Sequence, residues 1–512
     1  MASSQNYNAG ADLLDRNVAE GRGAKTAFIE TARSLSYGAL LDECNRMGRL
    51  LADYGIAPEA RIAMLVLDTV EFPIVFLGAI RAGVVPVALN TLLTTEQYAY
   101  ILSDSRAAAI FVSAPLLPVI EPILGTLPHV RWVFVIGGEA GRHLDFRTEL
   151  AARSHAFTHA PTSADDTAFW LYSSGSTGAP KGVRHVHSSL MATARLYARP
   201  ILGINESDVC FSAAKLFFAY GLGNGLSFPM SVGATTVLLP SRPTPKDVFA
   251  VLKQHQPTLY FGVPTLYAAM LADADCRPEN GSQRLRWCVS AGEALPEEVG
   301  KAWRQKFGVD ILDGVGSTEM LHIYVSNRPG EVRYGTSGKP VPGYEVRLVD
   351  DAGADVPPGE VGEMLVRGET AADGYWNQRG KSRRTFEGEW TRSGDKYVED
   401  ADGCYRYCGR TDDMFKVSGI WVSPFEVESA LITHPAVLEA AVVPRADADG
   451  LIKPRAFVVL KPGQQSADLA EPLKEHVKAR AGAWKYPRWI EFVDALPKTA
   501  TGKIQRFKLR EL

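Results

Sequence analysis

Residues 172–182 read Tyr-Ser-Ser-Gly-Ser-Thr-Gly-Ala-Pro-Lys-Gly, and their types suit one task above others. Ser173, Ser174, Gly175, Ser176, Thr177 and Gly178 bring hydroxyls and bare backbone N–H groups that can converge on phosphate oxygens, and Lys181 adds a cation. The Walker A pattern G-x-x-x-x-G-K-[ST] does not fit, because Ala179 and Pro180 separate Gly178 from the lysine and Gly182 follows it. A solvated Ser/Gly loop would share this composition. A second constellation is Asp313-Gly-Val-Gly-Ser-Thr-Glu319, after the apolar run 309–312. Its glycines permit close backbone approach to a ligand, Thr318 offers a hydroxyl, and Glu319 offers a hard oxygen suited to Mg²⁺ beside phosphates. A glycine-rich turn at a strand end would look the same.

The elements around these residues alternate. The apolar stretch 167–171 reads as a strand and 183–187 as its returning partner, so the first loop tips a hairpin. Before it, a helical spacing over 36–54 precedes a strand at 61–67, a helix at 71–82, a strand at 84–89, a helix at 95–103 and a strand at 107–112. After it, helices at 188–199, 221–232, 245–254 and 264–272 alternate with strands at 209–213, 235–239, 258–262 and 285–290. This rhythm predicts an α/β fold, with two stacked, doubly wound sheets in a large N-terminal domain. Beyond about residue 330, short alternating runs at 344–349, 362–367 and 404–408 predict a β-rich subdomain. The last hundred residues read as a small α+β domain: helices at 425–433 and 469–481, strands at 437–443, 456–460 and 489–493. The polar stretch 409–413 is its entry, which places the domains at 1–411 and 412–512.

Composition narrows the function class. With 512 residues, 46% hydrophobic, 22% charged and a net charge of −3, the chain has the make-up of an ordinary globular enzyme. Its lysines and arginines are scattered, which argues against nucleic-acid binding. The longest apolar region, 62–90, is interrupted by Asp68, Glu71 and Arg81 and falls short of a membrane span. The first residues carry no charged-then-apolar signal pattern, so a cytoplasmic location is expected. Six cysteines without paired spacing predict core thiols; Cys404 and Cys408 lack the second pair that a structural zinc site needs.

Taken in order, residues 172–182, 313–319, Ser393-Gly-Asp395, Gly409-Arg-Thr-Asp-Asp413 through Gly419, and Pro497 to Lys503 resemble the motif series of the adenylate-forming superfamily, which holds acyl- and aryl-CoA synthetases, peptide-synthetase adenylation domains and beetle luciferases. The resemblance implies that a carboxylate attacks the α-phosphorus of ATP, giving an acyl-adenylate and pyrophosphate, and that CoA then takes the acyl group. It implies further that Lys503 bridges the carboxylate and the α-phosphate, that Thr318 contacts that phosphate and that Glu319 holds Mg²⁺. The loop from Ser173 to Lys181 would grip the β,γ-phosphates; Asp395 and Arg410 would bind the ribose; Gly292-Glu293-Ala294 with Asp313-Gly314 would flank the adenine. Asp412 falls at the hinge about which the small C-terminal domain turns between half-reactions. Gly419 would line the channel for the CoA thiol, a fitting place for a residue without a side chain. Lys416 and Trp421 are candidate CoA contacts, although Lys416 equally suits a solvated surface. The segment around Lys503 also resembles sites acetylated in family members, which implies a lysine acetyltransferase and deacetylase as partners. A monomer or homodimer is expected.

The stretch 214–224, Ala-Lys-Leu-Phe-Phe-Ala-Tyr-Gly-Leu-Gly-Asn, occupies the position where family members shape the acid pocket. It holds no acidic side chain, which argues against an amino-acid substrate whose ammonium would need a partner. It resembles benzoate-CoA ligases most, as does the run 320–324. On that resemblance Ala219, Tyr220, Phe228, Gly316, His322 and Ile323 line a small, flat, apolar pocket for an aromatic carboxylate. Plain core packing is the competing reading of Phe217, Phe218, Tyr220 and Phe228. His322 either satisfies a buried hydrogen bond or orients the carboxylate or a ring substituent. A hydroxybenzoate, heteroaromatic or alicyclic acid, or the loading of a carrier protein, are the alternatives within the superfamily.

Overall fold

The computed structural model describes residues 6–30, 33–173, 179–417, 420–448, 450–464, 468–482, 485–498 and 504–512, the side chains at 416, 420 and 421 excepted. The chain divides into two compact units, Met1–Val346 with Val366–Arg392, and Arg347–Leu365 with Ser393–Leu512. The family reading sets its hinge at 412, later in the chain than this partition.

The first unit is built on two large sheets. In one, strands Thr167–Ser173, Val85–Ala88, Arg61–Leu65, Ala109–Ser113, Trp132–Ile136 and Leu144–Asp145 run parallel, and Lys181–Val186 and Gly374–Tyr375 add antiparallel at one edge. In the other, Ile311–Gly316, Trp287–Ser290, Leu259–Gly262, Val209–Ser212, Thr235–Val237 and Thr26–Glu30 run parallel, with Arg33–Ser36 antiparallel at one end and Ile323–Ser326 and Lys339–Pro340 at the other. The central strands are buried, as both faces of a helix-covered parallel sheet require. One core cluster contains Phe28 of the second sheet, Met64 of the first, and buried residues of helices Ala9–Asn17, Tyr37–Asp53 and Glu71–Arg81. The helices therefore pack against both sheets, as the alternation of elements predicts.

Three local features depart from the sequence expectation. Strands Thr26–Glu30 and Arg33–Ser36, absent from the sequence expectation, are short, and the outer one, Arg33–Ser36, is half exposed, so it lacks the apolar run that marks its neighbours. The stretch read as one helix over 221–232 is instead helix Ala219–Leu222, a π turn over Gly223–Ser227, and helix Phe228–Val232. Pro229 has no N–H for an α-type bond to residue 225 and its ring would crowd that carbonyl; the wider turn relieves both. The stretch read as a helix over 188–199 begins at His187 and likewise passes into a π turn at Ala194–Ala198.

The second unit carries most of a further sheet that includes Glu345–Val349, Val361–Arg367, Trp390–Glu399 and Tyr405–Arg410, the last two antiparallel, the β-rich region that the glycine-punctuated sequence predicts. Beyond it lie the two-stranded ribbon Phe415–Val417 with Ile420–Val422, helices Pro424–Ile432 and Ala470–Ala481, and a sheet of Val437–Ala446, Ile452–Leu460 and Trp489–Phe492. Among the described residues no helix is long and apolar enough to cross a membrane.

Candidate active site

The first loop does tip a hairpin. Strands Thr167–Ser173 and Lys181–Val186 pair antiparallel with Ser173 opposite Lys181, and Ser174, Gly175, Ser176, Thr177 and Gly178 lie outside the described residues. The hairpin base is fixed from below. Tyr172 donates to the Asp104 carboxylate at 2.7 Å, the Trp376 indole donates to the Asp104 carbonyl at 2.8 Å, and the Arg61 guanidinium lies over the rings of Trp170 and Trp376. A Cβ at Gly182 would lie 3.2 Å from the Tyr172 ring, so a larger residue there would have to displace that ring slightly.

At the mouth of the hairpin the two sequence constellations meet. Glu319 Oε1 accepts the Tyr375 hydroxyl at 2.8 Å, lies 3.8 Å from Lys181 Nζ, and is 3.5 Å from Ser173 Oγ. Lys181 Nζ in turn donates to the Tyr375 oxygen at 3.3 Å and sits 4.4 Å from the centre of its ring. Tyr375 is held in place because it pairs with Val183 of the hairpin. A carboxylate on a turn and an ammonium and a phenol on two paired strands thus converge. That arrangement suits a polyphosphate whose cation is held by one carboxylate and by the phosphate oxygens themselves, the usual binding of Mg²⁺. Among the described residues no cluster of three His, Cys, Asp or Glu side chains forms a separate metal site.

The second constellation is a strand more than a turn. Asp313 to Gly316 belong to Ile311–Gly316, and the turn begins only at Ser317. Gly314 and Gly316 have a packing reason for their small size: a Cβ at Gly314 would lie 2.9 Å from the Val325 carbonyl, and one at Gly316 would lie 2.5 Å from that of His322. Leu321 closes the turn at φ +65°, a left-handed conformation that costs a leucine about 1–3 kcal/mol. Surrounding bonds enforce it. His185 reaches the Thr318 carbonyl at 2.9 Å, the Ala372 N–H donates to the Glu319 carbonyl at 2.8 Å, and Thr370 donates to the Met320 carbonyl at 2.8 Å. Burial pushes His185 down to about 4, so it is neutral and its Nε2–H is the donor.

Three residues beyond Glu319, the same turn delivers His322 into a group of rings. Its centroid lies 4.4 Å from Phe228, 5.5 Å from Tyr197 and 5.6 Å from Tyr220. His322 Nε2 meets Asn224 Oδ1 at 3.1 Å, and burial pushes the imidazole down to about 3, which keeps it neutral and makes Nε2–H the donor. Gly223 lies so close to this ring that a Cβ there would overlap it. The Tyr220 hydroxyl lies 3.2 Å from the Gly262 carbonyl and 3.1 Å from that of Val289; burial holds its phenol well above the usual range. Ala219 is half-buried beside it, and Phe228 and Ile323 are buried. The wall formed by Ala219, Tyr220, Phe228, His322 and Ile323 carries no charge.

Gly292, Glu293 and Ala294 follow strand Trp287–Ser290, whose Ser290 pairs with Asp313, so the two segments expected at the adenine stand at neighbouring strand ends. Such ends are where open α/β sheets bind ligands. Asp313 is buried, and its desolvated carboxyl is pushed well above the usual carboxylate range.

In the second unit, Asp395 and Arg410 face each other on paired strands, with Arg410 Nη1 3.0 Å from Asp395 Oδ1. Asp412 lies in the turn that leaves that strand. Its carbonyl accepts Arg510 Nη2 at 3.1 Å, and Arg506 and Arg510 both pair with the adjacent Asp413. The backbones of Lys416 and Trp421 are partners in the two-stranded ribbon. Gly419 and Lys503 lie outside the described residues, although Lys498 and Ile504 bridge across the segment that contains the lysine.

Sequence reading missed Tyr375, His185 and Asn224. The tyrosine pairs with a strand nearly two hundred residues earlier and has no motif of its own. His185 and Asn224 sit inside elements whose apolar pattern masks them.

Comparison with known proteins agrees with this geometry. Residues 14–376 match the AMP-binding enzyme family, and 426–503 match the AMP-binding enzyme C-terminal domain. The chain is 59% identical over 509 residues to a benzoate–CoA ligase of Thauera aromatica, covering 99% of this chain and 96% of that one. It is 58% identical over 510 residues to a 4-hydroxybenzoate–CoA/benzoate–CoA ligase of Rhodopseudomonas palustris, covering 99% and 94%. Its fold superposes on a benzoate CoA ligase from Burkholderia xenovorans LB400 with a TM-score of 0.91 at 52% identity, over 98% of this chain and 100% of the other. With matches that span nearly its full length, the chain belongs to the AMP-binding, adenylate-forming enzymes.

Proposed function

We propose that this enzyme is an ATP-dependent aryl-CoA ligase acting on benzoate: benzoate and ATP give benzoyl-AMP and pyrophosphate, and CoA then gives benzoyl-CoA and AMP. The observation that carries the reading is the single turn Ser317–His322. It holds Glu319 among Lys181 and Tyr375 at one end and the neutral His322 among aromatic rings at the other. An acid whose ring stacks on Tyr220, Phe228 and His322 then has its carboxyl group directed towards the phosphate-binding residues. An uncharged wall rejects an ammonium-bearing acid, because that charge would be buried unpaired. The relatives that act on benzoate, one of them also on 4-hydroxybenzoate, support the substrate class.

In this reading Lys181 and the 173–178 loop neutralise the β,γ-phosphates as pyrophosphate leaves, and Thr318 contacts the α-phosphate. Glu319 is the protein ligand of Mg²⁺, which when bound neutralises phosphate charge. Gly292 to Ala294 with Asp313 and Gly314 flank the adenine, and Asp395 and Arg410 hold the ribose. Lys503 stabilises the charge that builds between carboxylate and α-phosphate. The 412–512 domain then turns about Asp412, withdraws Lys503 and brings Gly419, Lys416 and Trp421 to the thiol path. The enzyme acts in the cytoplasm, and acetylation of Lys503 would silence the first step by removing its charge.

Benzoate-dependent exchange of pyrophosphate into ATP, followed by CoA-dependent thioester formation, tests the reading. Adenylation without transfer to CoA would favour a carrier-loading enzyme instead. ADP without pyrophosphate would replace adenylation by phosphoryl transfer.

A further inference from the structure

We infer that Asp68 and Lys215 form a buried staple that sets the shape of the acid pocket without touching the acid. Asp68 lies just beyond strand Arg61–Leu65 of the first sheet and is 4% exposed. Its two carboxylate oxygens lie 3.2 and 3.4 Å from the Leu216 N–H. Lys215 Nζ stands 3.9 Å from the same carboxylate and donates to the carbonyls of Leu239 and Ser241, the latter at 2.7 Å. Those carbonyls lie just beyond strand Thr235–Val237 of the second sheet. The carboxylate and the ammonium together therefore tie the ends of strands from both sheets to residues 215 and 216. Two of its three hydrogens go to carbonyls and its charge is paired with Asp68, so Lys215 is committed to the staple.

The pocket wall begins immediately after residue 216. The Lys215 carbonyl accepts the Phe218 N–H at 3.0 Å, and Gly221 packs so tightly over that carbonyl that a Cβ there would overlap it. A shift of the Lys215 backbone is thus passed within one turn to Ala219 and Tyr220. Buried ion pairs add little net stability over apolar pairs of similar size. The contribution of this one is geometric, and both residues are positioning residues for acid selection. The inference rests on the reading of 214–224 as the wall of an aromatic-acid pocket.

The test is competition between benzoate and 4-hydroxybenzoate, read as the ratio of their kcat/KM values, which does not depend on how much of a preparation is folded. Lys215→Met and Asp68→Ala are expected to move that ratio by about fivefold or more, since small displacements at a reacting site carry factors of this order. The KM for ATP should stay within about twofold, because the phosphate residues hang on other strands. The double variant Asp68→Asn/Lys215→Met leaves no unpaired buried charge; it should recover the thermal midpoint and still show the altered ratio. A ratio unchanged in the double variant, or a KM for ATP that rises as much as that for the acid, would overturn the inference. Wild-type protein that activates neither acid would overturn the proposed function and this inference together; wild-type turnover with unmoved ratios overturns the inference alone.

Discussion

Replacing Tyr375 by phenylalanine removes one oxygen from the phosphate cluster and leaves the ring under Lys181 in place. That oxygen donates to Glu319 at 2.8 Å and accepts from Lys181 at 3.3 Å, so it is bonded to both charges. A hydrogen bond to a charged group contributes about 1.5–3 kcal/mol, and the partial exposure of this cluster favours the lower end. About 1.5 kcal/mol corresponds to roughly a tenfold loss. The loss should fall on kcat/KM for ATP, measured by pyrophosphate exchange at saturating benzoate, because the aligned Glu319 and Lys181 act on the nucleotide. The KM for benzoate should stay within about twofold, since the ring pocket lies beyond the turn. Thioester formation from supplied benzoyl-AMP, which releases no pyrophosphate, should be nearly unaffected. Equal loss in both half-reactions, or no loss for ATP, would refute the assignment of Tyr375 to the phosphate cluster.

Lys503→Ala should lower adenylate formation by about 10²–10³-fold, the usual effect of losing a transition-state charge, while thioester formation from benzoyl-AMP survives. Gly419→Leu should do the reverse, and stopped-flow comparison of the two half-reactions separates them. Stability should fall steeply in mild acid. His185 and His187 are pushed down to about 4 and His322 to about 3, all by burial, whereas an unfolded histidine titrates near 6.5. Each contributes stability that is fully present above about pH 6.5 and is lost as pH falls towards the folded value. Near pH 5 the unfolded chain holds about three extra protons from these groups, a slope of up to about 4 kcal/mol per pH unit. Thermal unfolding across this range checks it, and His187→Gln should flatten the slope by about a third; an unchanged slope would count against a buried neutral His187.

Much of the fold was legible because its signals are local. The hairpin around 172–182 announces itself by composition, and the alternation of apolar runs with helical spacing carries both sheets. The ring cluster proposed as the acid wall has a signal in residue type: Tyr220, Phe228 and His322 sit among aromatics with no acid nearby, and the structure brings their rings together. What escaped was long-range or polar. Tyr375 is 56 residues from Glu319 and 194 from Lys181, and only sheet pairing puts it between them. Asp68 and Leu216 are 148 residues apart, and an isolated aspartate after a strand looks like a solvated loop end until its burial is known. The π turn at 223–227 was hidden because its residues fit a helical pattern on either side, and only the bonding at Pro229 widens it.

That π turn has a consequence for how such a pocket diversifies. In an unbroken α-helix, positions eight apart, such as 220 and 228, would point about 80° away from each other. The wider turn winds less per residue and brings both rings round to His322, at 5.6 and 4.4 Å. Loss of one codon between 223 and 227 would restore α-type winding with the two residues seven apart, about 20° from alignment, so both rings would still face His322. Chain length and winding are therefore matched between Tyr220 and Phe228: a change that restored α winding without removing a residue would part the rings, whereas the matching deletion would keep them together.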